Sequence, residues 1–371
     1  MELVRSLRYQ GKHAEAWAVY QTIEHTKEQA DKAFLAYERS ILSYYVGIPR
    51  EEALIDFMTS YSLYKNIDYN NIQFYVGPFP STILPFSLQP KDDFLPTSTS
   101  ILRLSPTKLL LNVRYVNYRI QENGSYLMSE GGVLSPHHFL RTRNVCLITD
   151  NEFEPIEEYE MVPRDPPTHA RNICGLEDIR LFRKDYQICF SATSCEYSHN
   201  GLIQEVEGVY DIESHQLIVE PMHSPTGSHV EKNWIPMNRA YGDSLYIYSW
   251  HPLTLGTVKN GIFKTHSELP TPHFFRHVRG STTFVYHEGY LYSMVHCVIE
   301  TVPRKYYHML VKLDESYSLV SYTIPYYFVK NHIEYTLGID IGSKLRCIAS
   351  QNDCDPILIE IDMGNLKWIS V

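Results

Sequence analysis

Several features that commonly settle a function are missing from this chain. The seven cysteines, Cys146, Cys174, Cys189, Cys195, Cys297, Cys347 and Cys354, form no CxxC and no Cys/His set with zinc spacing. Their odd number and positions inside apolar runs predict free, mostly buried thiols in a reducing compartment. No Lys/Arg-rich run is present and the formal net charge is −10, so the electrostatic footprint of a nucleic-acid binder is absent. No apolar stretch approaches the roughly 18 to 20 residues of a membrane span. The opening MELVRSLRYQGKHAEAW has no apolar core of a secretory signal, which makes the cytosol the default compartment.

What is present is an aromatic-rich β pattern: hydrophobic residues make up 44% of the chain, which carries 29 tyrosines. A polar cluster recurs near the start of five apolar segments: NVRYVNY, GLEDIRLF, EKNWIPM, RGSTTFVY and HIEYTLGI. Counted from Arg114, Asp178, Lys232, Ser281 and Glu334, the spacings are 64, 54, 49 and 53 residues. That period fits one four-stranded propeller blade per unit. Four clusters are followed by a turn centred on Lys184-Asp185, Gly242-Asp243, Glu288-Gly289 or Gly342-Ser343, and then by another apolar run. This suits a hairpin between the first two strands of a blade. The expected fold is mainly β: a five-bladed β-propeller over residues 98–371, with strands starting near Asn112, Gly175, Glu231, Arg279 and His332 around one axial pocket. An irregular β-sandwich is the alternative.

Residues 3 to 66 have a helical period, with Ala14, Trp17, Tyr20, Ala33, Tyr37, Ile41, Tyr44, Tyr45, Ala53, Phe57 and Tyr61 as packing positions. Gly11 and Pro49 punctuate this segment into helix pairs resembling tetratricopeptide repeats. Residues 1–66 are therefore expected as a small α-helical domain, either a cap or a docking site for a partner protein. The proline-dense residues 67–97 read as an extended connector. A second proline-rich stretch, residues 161 to 175, should form a loop at one mouth of the propeller.

Within the clusters, strand parity puts Glu177 and Asp178 on opposite faces and Asp178 with Arg180 on one. An acid in such company can be held ionised by a guanidinium or raised by burial, which suits proton transfer; a structural salt bridge is the plain alternative. By the same parity Lys232 pairs with Trp234 and Arg279 with Ser281, while His296 ends the following strand. Lys232, Arg279 and His296 around one pocket would suit a phosphate-like anion, with Arg114 and Arg143 as further contacts, and Trp234 could stack on a sugar ring. Asn112, Glu177, Arg180, Asn233 and Ser281 complete the candidate lining. A Cys/His/Asp triad can be drawn from Cys297, but no nucleophile signature accompanies it.

GLEDIRLF resembles the V-E-D-P-R strand of the five-bladed propeller enzymes of glycoside hydrolase family 130. EKNWIPM resembles their K-D-x-x-L-F-P strand, and RGSTTFVYHEGYLYSMVH their Gly-rich segment leading to Y-H-G. The resemblance covers roughly residues 108 to 371 and extends to the related mannosyltransferases and phosphorylases of glycosyltransferase family 108. It departs at Ile179, where the family has Pro, at Asn233, where it has Asp, and in V-H-C around His296. The resemblance implies Asp178 as the general acid, Lys232 and His296 as anion contacts, and an inverting reaction on mannosides. The ligands would then be a carbohydrate acceptor and a phosphate-bearing sugar donor or inorganic phosphate. No DxD metal-nucleotide motif is evident, so neither a metal nor another cofactor is expected. A hydrolase of the same fold would need a second carboxylate, for which Glu334 is the axial candidate. A non-catalytic propeller binding a glycan or protein is the reading from another class.

Overall fold

The computed structural model describes residues 2–23, 29–63 and 67–371. Four α-helices, Glu2–Tyr9, His13–Ile23, Gln29–Val46 and Arg50–Leu63, come first, and the expected end of this segment at 66 falls outside the described residues. Gly11 and Gly47, both with φ of 75°, turn the chain between paired helices, a conformation glycine adopts without penalty. Val4, Ala16, Tyr20, Leu35 and Leu42 form one small core. Ala14, Tyr44 and Tyr45 are exposed, contrary to the packing expected of them. In the third helix Ala33 is buried and Tyr37 packs against the main core as expected, while Leu35, Glu38 and Leu42 are buried as well, the Glu38 carboxylate accepting from Arg8 Nε at 2.6 Å. The fourth helix belongs to the β core: Leu54, Phe57 and Met58 join its main apolar cluster, and Tyr61 Oη lies 2.6 Å from His277 Nε2.

The rest of the chain is mainly β. Leu95–Ser105, Lys108–Val116, Leu140–Asp150 and Pro155–Pro163 form one antiparallel ladder. A second runs through Glu177–Lys184, Gln187–Ser194, Gln204–Asp211 and Gln216–Pro221. The third comprises Ile235–Met237, Ser244–Trp250, Leu253–Lys259 and Ile262–Leu269. In the fourth, Val278–Gly280 and Val285–His287 both pair with Tyr290–Ile299, followed by Lys305–Leu313, Leu319–Thr323 and the C-terminal Trp368–Ser370. The fifth, Glu334–Ile341, Leu345–Gln351 and Cys354–Ile361, gains its outer strand from Ser81–Leu84.

The residues expected only to connect therefore close a sheet, and they also carry a 3₁₀ helix, Tyr69–Phe74. The expected boundary at 97/98 cuts an inner strand, since Leu95–Ser105 precedes Asn112, which lies in the second strand of its ladder. The third cluster precedes its strand rather than opening it: Lys232, Asn233 and Trp234 come before Ile235. Where inner strands of different ladders meet they are in backbone contact. A Cβ on Gly338 would sit 2.2 Å from Ile101 N, and one on Gly280 would sit 2.4 Å from Ile235 side-chain atoms, so only glycine fits there. Two-residue turns link Glu177–Lys184 to Gln187–Ser194 through Asp185 and Tyr186, one residue later than expected, and Val285–His287 to Tyr290–Ile299 through Glu288 and Gly289. All four turn residues have positive φ, as tight hairpins require. Among the described residues no helix is long and apolar enough to cross a membrane.

Candidate active site

A cavity of about 750 Å³ opens at one end of the inner strands. Arg114, Glu177, Asp178, Lys232, Asn233, Arg279 and His296, all expected from the sequence, line it. The end of the second proline-rich stretch, Asn172 to Gly175, lines it as well.

The acid pair departs from strand parity. Glu177 opposes Thr193 and Arg180 opposes Ser191, so the strand bulges between them, and Asp178 takes φ of 55°. An extra residue in a bulge resets which way side chains point. Both carboxylates therefore face the cavity, where strand geometry had allowed one. Arg114 Nη1 donates to Asp178 Oδ1 at 2.9 Å and lies 3.8 Å from Glu177 Oε1. Ser98 Oγ, from the innermost strand, donates to the same Asp178 oxygen at 3.3 Å. Lys232 Nζ holds both Glu177 oxygens at 3.1 and 3.2 Å. Burial pushes the Glu177 carboxyl up, but Arg114 and Lys232 outweigh it and hold it below the ordinary value.

Arg180 does not share a face with the Asp178 carboxylate. It is fully buried and outside the cavity lining, donating to the Ser281 carbonyl (2.8 Å), the Asp178 carbonyl (3.3 Å), Asn233 Oδ1 (3.2 Å) and Tyr335 Oη (2.9 Å). Those partners come from all but the first ladder, so Arg180 is a tie across the axis rather than a ligand contact. Asn233 takes φ of 67° and accepts from both Arg180 and Tyr335.

Five other expectations are corrected by burial or direction. Trp234 is 1% exposed, donates through Nε1 to Glu231 at 3.3 Å and packs edge-on to Tyr248 and Phe263, so it offers no face to a sugar. Glu334 is fully buried and accepts the backbone N–H groups of Phe328, Val329 and Lys330 at 2.6, 3.0 and 2.8 Å. It caps a loop and reaches no cavity surface; burial nevertheless raises its proton affinity despite those donors. Arg143 grips Glu160 at both oxygens and lies over the Phe94 ring, away from the cavity. Asn112 is buried between Asn144 (3.0 Å) and Tyr210 (3.0 Å), joining the first two ladders. Ser281 is buried with Oγ 2.8 Å from His296 Nδ1 and serves to orient that ring. His296 itself is held well below the ordinary histidine value by burial first, then by His308 and Arg279, so it is a neutral hydrogen-bonding group.

Asp353 lies outside the recurring polar clusters of the sequence. It lines the cavity at the tip of a two-residue turn, with φ of 51°, and accepts from Tyr118 Oη at 3.0 Å. Burial raises its carboxyl, Arg114 opposes this, and the nearby Asp178 and Glu177 charges add to the rise. The Asn352-Asp353 pair signals a hairpin turn in sequence; that the turn folds toward the axis is a tertiary fact. Tyr118, Tyr126, Tyr306, Tyr335 and Arg304 also line the cavity without having been singled out. Among the described residues no group of three or more His, Cys, Asp and Glu side chains is placed to hold a metal ion.

No family model matches the chain, and no curated protein matches it. Solved structures do. A β-1,2-mannobiose phosphorylase from Listeria innocua, in complex with β-1,2-mannobiose, is 12% identical, covers 76% of this chain and 94% of its own, and has a TM-score of 0.50. MPT-4, a mannose phosphorylase from Leishmania mexicana in complex with phosphate ion, is 11% identical over 79% of this chain and 91% of its own, with a TM-score of 0.44. The β-xylosidase RS223 is 10% identical over 76% and 98%, also with a TM-score of 0.44. The chain thus has a propeller-type fold like that of the Listeria mannobiose phosphorylase, and the likeness is one of fold alone.

Proposed function

We propose that this protein is an inverting carbohydrate-active enzyme that makes or breaks a glycosidic bond, acting on mannosides by transfer or phosphorolysis in glycan assembly. In this reading the five ladders are the five blades of a propeller, and the paired N-terminal helices, tetratricopeptide-like in pattern, dock a partner protein. One observation carries the enzymatic part: the Asp178 carboxylate faces the cavity from a bulged, left-handed backbone position, held by Arg114 and Ser98 beside the Glu177–Lys232 pair. A residue in that conformation is strained unless its surroundings enforce it, and such strain clusters at functional sites. Asp178 takes the proton of an acceptor hydroxyl in synthesis and returns it to the leaving oxygen in cleavage, one group serving both directions. Phosphate as nucleophile or leaving group removes the need for a second catalytic carboxylate.

A hydrolase of the same fold is the second reading, favoured by Asp353, a second cavity carboxyl with raised proton affinity. The test is incubation with sugar 1-phosphates, nucleotide sugars and mannosides plus simple acceptors. Phosphate or nucleotide release, or sugar phosphate formed from a mannoside and phosphate, supports transfer or phosphorolysis. Free sugar formed without phosphate supports the hydrolase. Saccharide binding without turnover on any of these would overturn both in favour of a binding propeller.

A further inference from the structure

A smaller cavity, of about 210 Å³, opens at the far end of the second ladder. Strand Glu177–Lys184 connects the two cavities: Glu177 lines the axial one and Lys184, at the other end of the strand, lines the small one, roughly 20 Å away along the chain. The walls of the small cavity come from Lys184, Asp185 and Gln187 at one hairpin, Glu207 and Glu220 on the next two strands, and Ser244, which opens strand Ser244–Trp250 of the third ladder. Glu207 and Glu220 stand directly opposite each other in neighbouring strands, an arrangement of like charges that lowers the stability of a sheet. Glu207 is 8% exposed and accepts from Tyr246 Oη at 3.0 Å. Burial raises its proton affinity and Glu220 adds to the rise, against Ser244, Lys184 and Tyr246. Ser244 Oγ is buried in the cavity wall and completes no hydrogen bond, although the hydroxyl lies near enough to Glu207 to ease that charge. An opposed acid pair and an orphaned hydroxyl are unfavourable as bare structure, and become favourable once a ligand hydrogen-bonds between them.

Two exposed aromatic rings accompany these groups. Tyr186, between the lining residues Asp185 and Gln187, is 76% exposed, and Tyr241, on the hairpin that leads into Ser244, is 66% exposed. Their hydroxyls meet and their rings lie edge to face at 5.4 Å, while Asp185 Oδ1 accepts from Gly242 N at 3.2 Å and ties the two hairpins together. We propose that this pocket between the second and third ladders is a saccharide-binding site distinct from the axial cavity, holding one sugar unit of a glycan chain with Tyr186 and Tyr241 packed on its ring. Sugar hydroxyls both donate and accept, which matches acceptors at Glu207 and Glu220 and donors at Lys184, Gln187 and Ser244; the apolar face of a pyranose suits the tyrosines. The volume lies below the roughly 300 to 1,000 Å³ of a complete ligand site and is enough for one ring. Three carboxylates repel an anion, and among the described residues no group of three or more His, Cys, Asp and Glu side chains is placed to hold a metal ion. The inference rests on the reading of this protein as a saccharide enzyme, to which it gives a second hold on a polymeric substrate.

Hydrogen exchange on the full chain tests this with mannotetraose and, as a flexible cation, spermidine as probes. Mannotetraose should protect the amides of residues 185–187 and 242–244 as well as those around the axial cavity. Glu207→Gln should raise the mannotetraose concentration needed to protect the two hairpins by about tenfold and leave that for the axial cavity unchanged. Tyr186→Ala combined with Tyr241→Ala should do the same, and these exposed positions keep the test open if Glu207→Gln fails to fold. Protection at the axial cavity alone overturns the second site and leaves the glycosidic reading standing. Hairpin protection by spermidine and by no saccharide also overturns it, making the pocket a cation site. Hairpin protection by mannotetraose that survives these substitutions unchanged places the saccharide elsewhere and overturns it as well. If the hairpins are protected as expected, and the variants weaken that protection, in a chain that turns over no mannoside, the second site stands and the glycosidic reading falls.

Discussion

Arg114 reaches Asp178 at 2.9 Å across two adjacent ladders, and the same guanidinium nitrogen lies 3.8 Å from Glu177. Arg114 is almost fully buried, so its charge belongs to the cavity floor and is shared by the two carboxylates. The acid that would move the proton is thereby fixed in position by a cation that is not exposed to screening.

If Asp178 is the proton-transfer group, Asp178→Asn keeps its size and its hydrogen bond from Ser98 but cannot exchange a proton. Turnover should fall by about 10²- to 10⁴-fold with the melting temperature little changed. Glu177→Gln is the control, read by the same assay; near-normal turnover in Asp178→Asn would exclude the assignment.

Glu334 should behave as a structural cap. Glu334→Ala leaves three backbone N–H groups without their acceptor, each costing about 1–3 kcal/mol, so denaturant unfolding should show a large loss of stability. Glu334→Gln keeps one carbonyl oxygen and should lose less, with turnover per folded molecule unchanged. Abolished turnover in well-folded Glu334→Gln would restore it as a catalytic carboxylate.

Three histidines should set the acid limit of stability. Burial lowers His308 to about 3 and His277 to about 4, and holds His296 well below the ordinary value. Unfolded histidines take up protons near pH 6.5 that the folded protein does not, so stability should fall as pH drops from about 6.5 toward 4. Melting curves across that range should be flatter for His277→Gln, which keeps a polar group near Tyr61; an unchanged slope would show that His277 is not among the groups responsible.

Glu205 should act at the opposite end. Burial pushes it up to about 8, although Arg180 and the Trp234 N–H oppose this. One oxygen accepts that N–H at 3.2 Å and the other has no hydrogen-bond partner. The folded state keeps a proton that the unfolded chain releases near pH 4.5, so this group contributes a loss of stability as pH rises from about 4.5 to about 8. Glu205→Gln should remove that loss and be relatively more stable at pH 8 than at pH 5. The same stability difference at both pH values would count against a neutral Glu205.

The chain pattern alone determined a mainly β molecule with helices first, the recurrence of polar clusters at blade-like spacing, and seven of the cavity residues. Period-2 and period-3.6 patterns, turn residues and repeat spacing are local properties, and a linear reading captures them. The tertiary structure decided what depends on direction and burial. Strand parity failed at Glu177 and Asp178 because a bulge breaks the alternation. Trp234 and Glu334 looked accessible because a polar or aromatic residue at the head of a strand carries no mark of what will cover it; one became core and the other a loop cap. Asp353 and Arg304 lie outside the recurring polar clusters, each between two strands of its ladder, in a turn or loop whose place over the cavity arises only when the ladders close on one another. Gly338 against Ile101 is where that closure leaves no room for a side chain, a constraint between residues 237 positions apart that no local pattern contains.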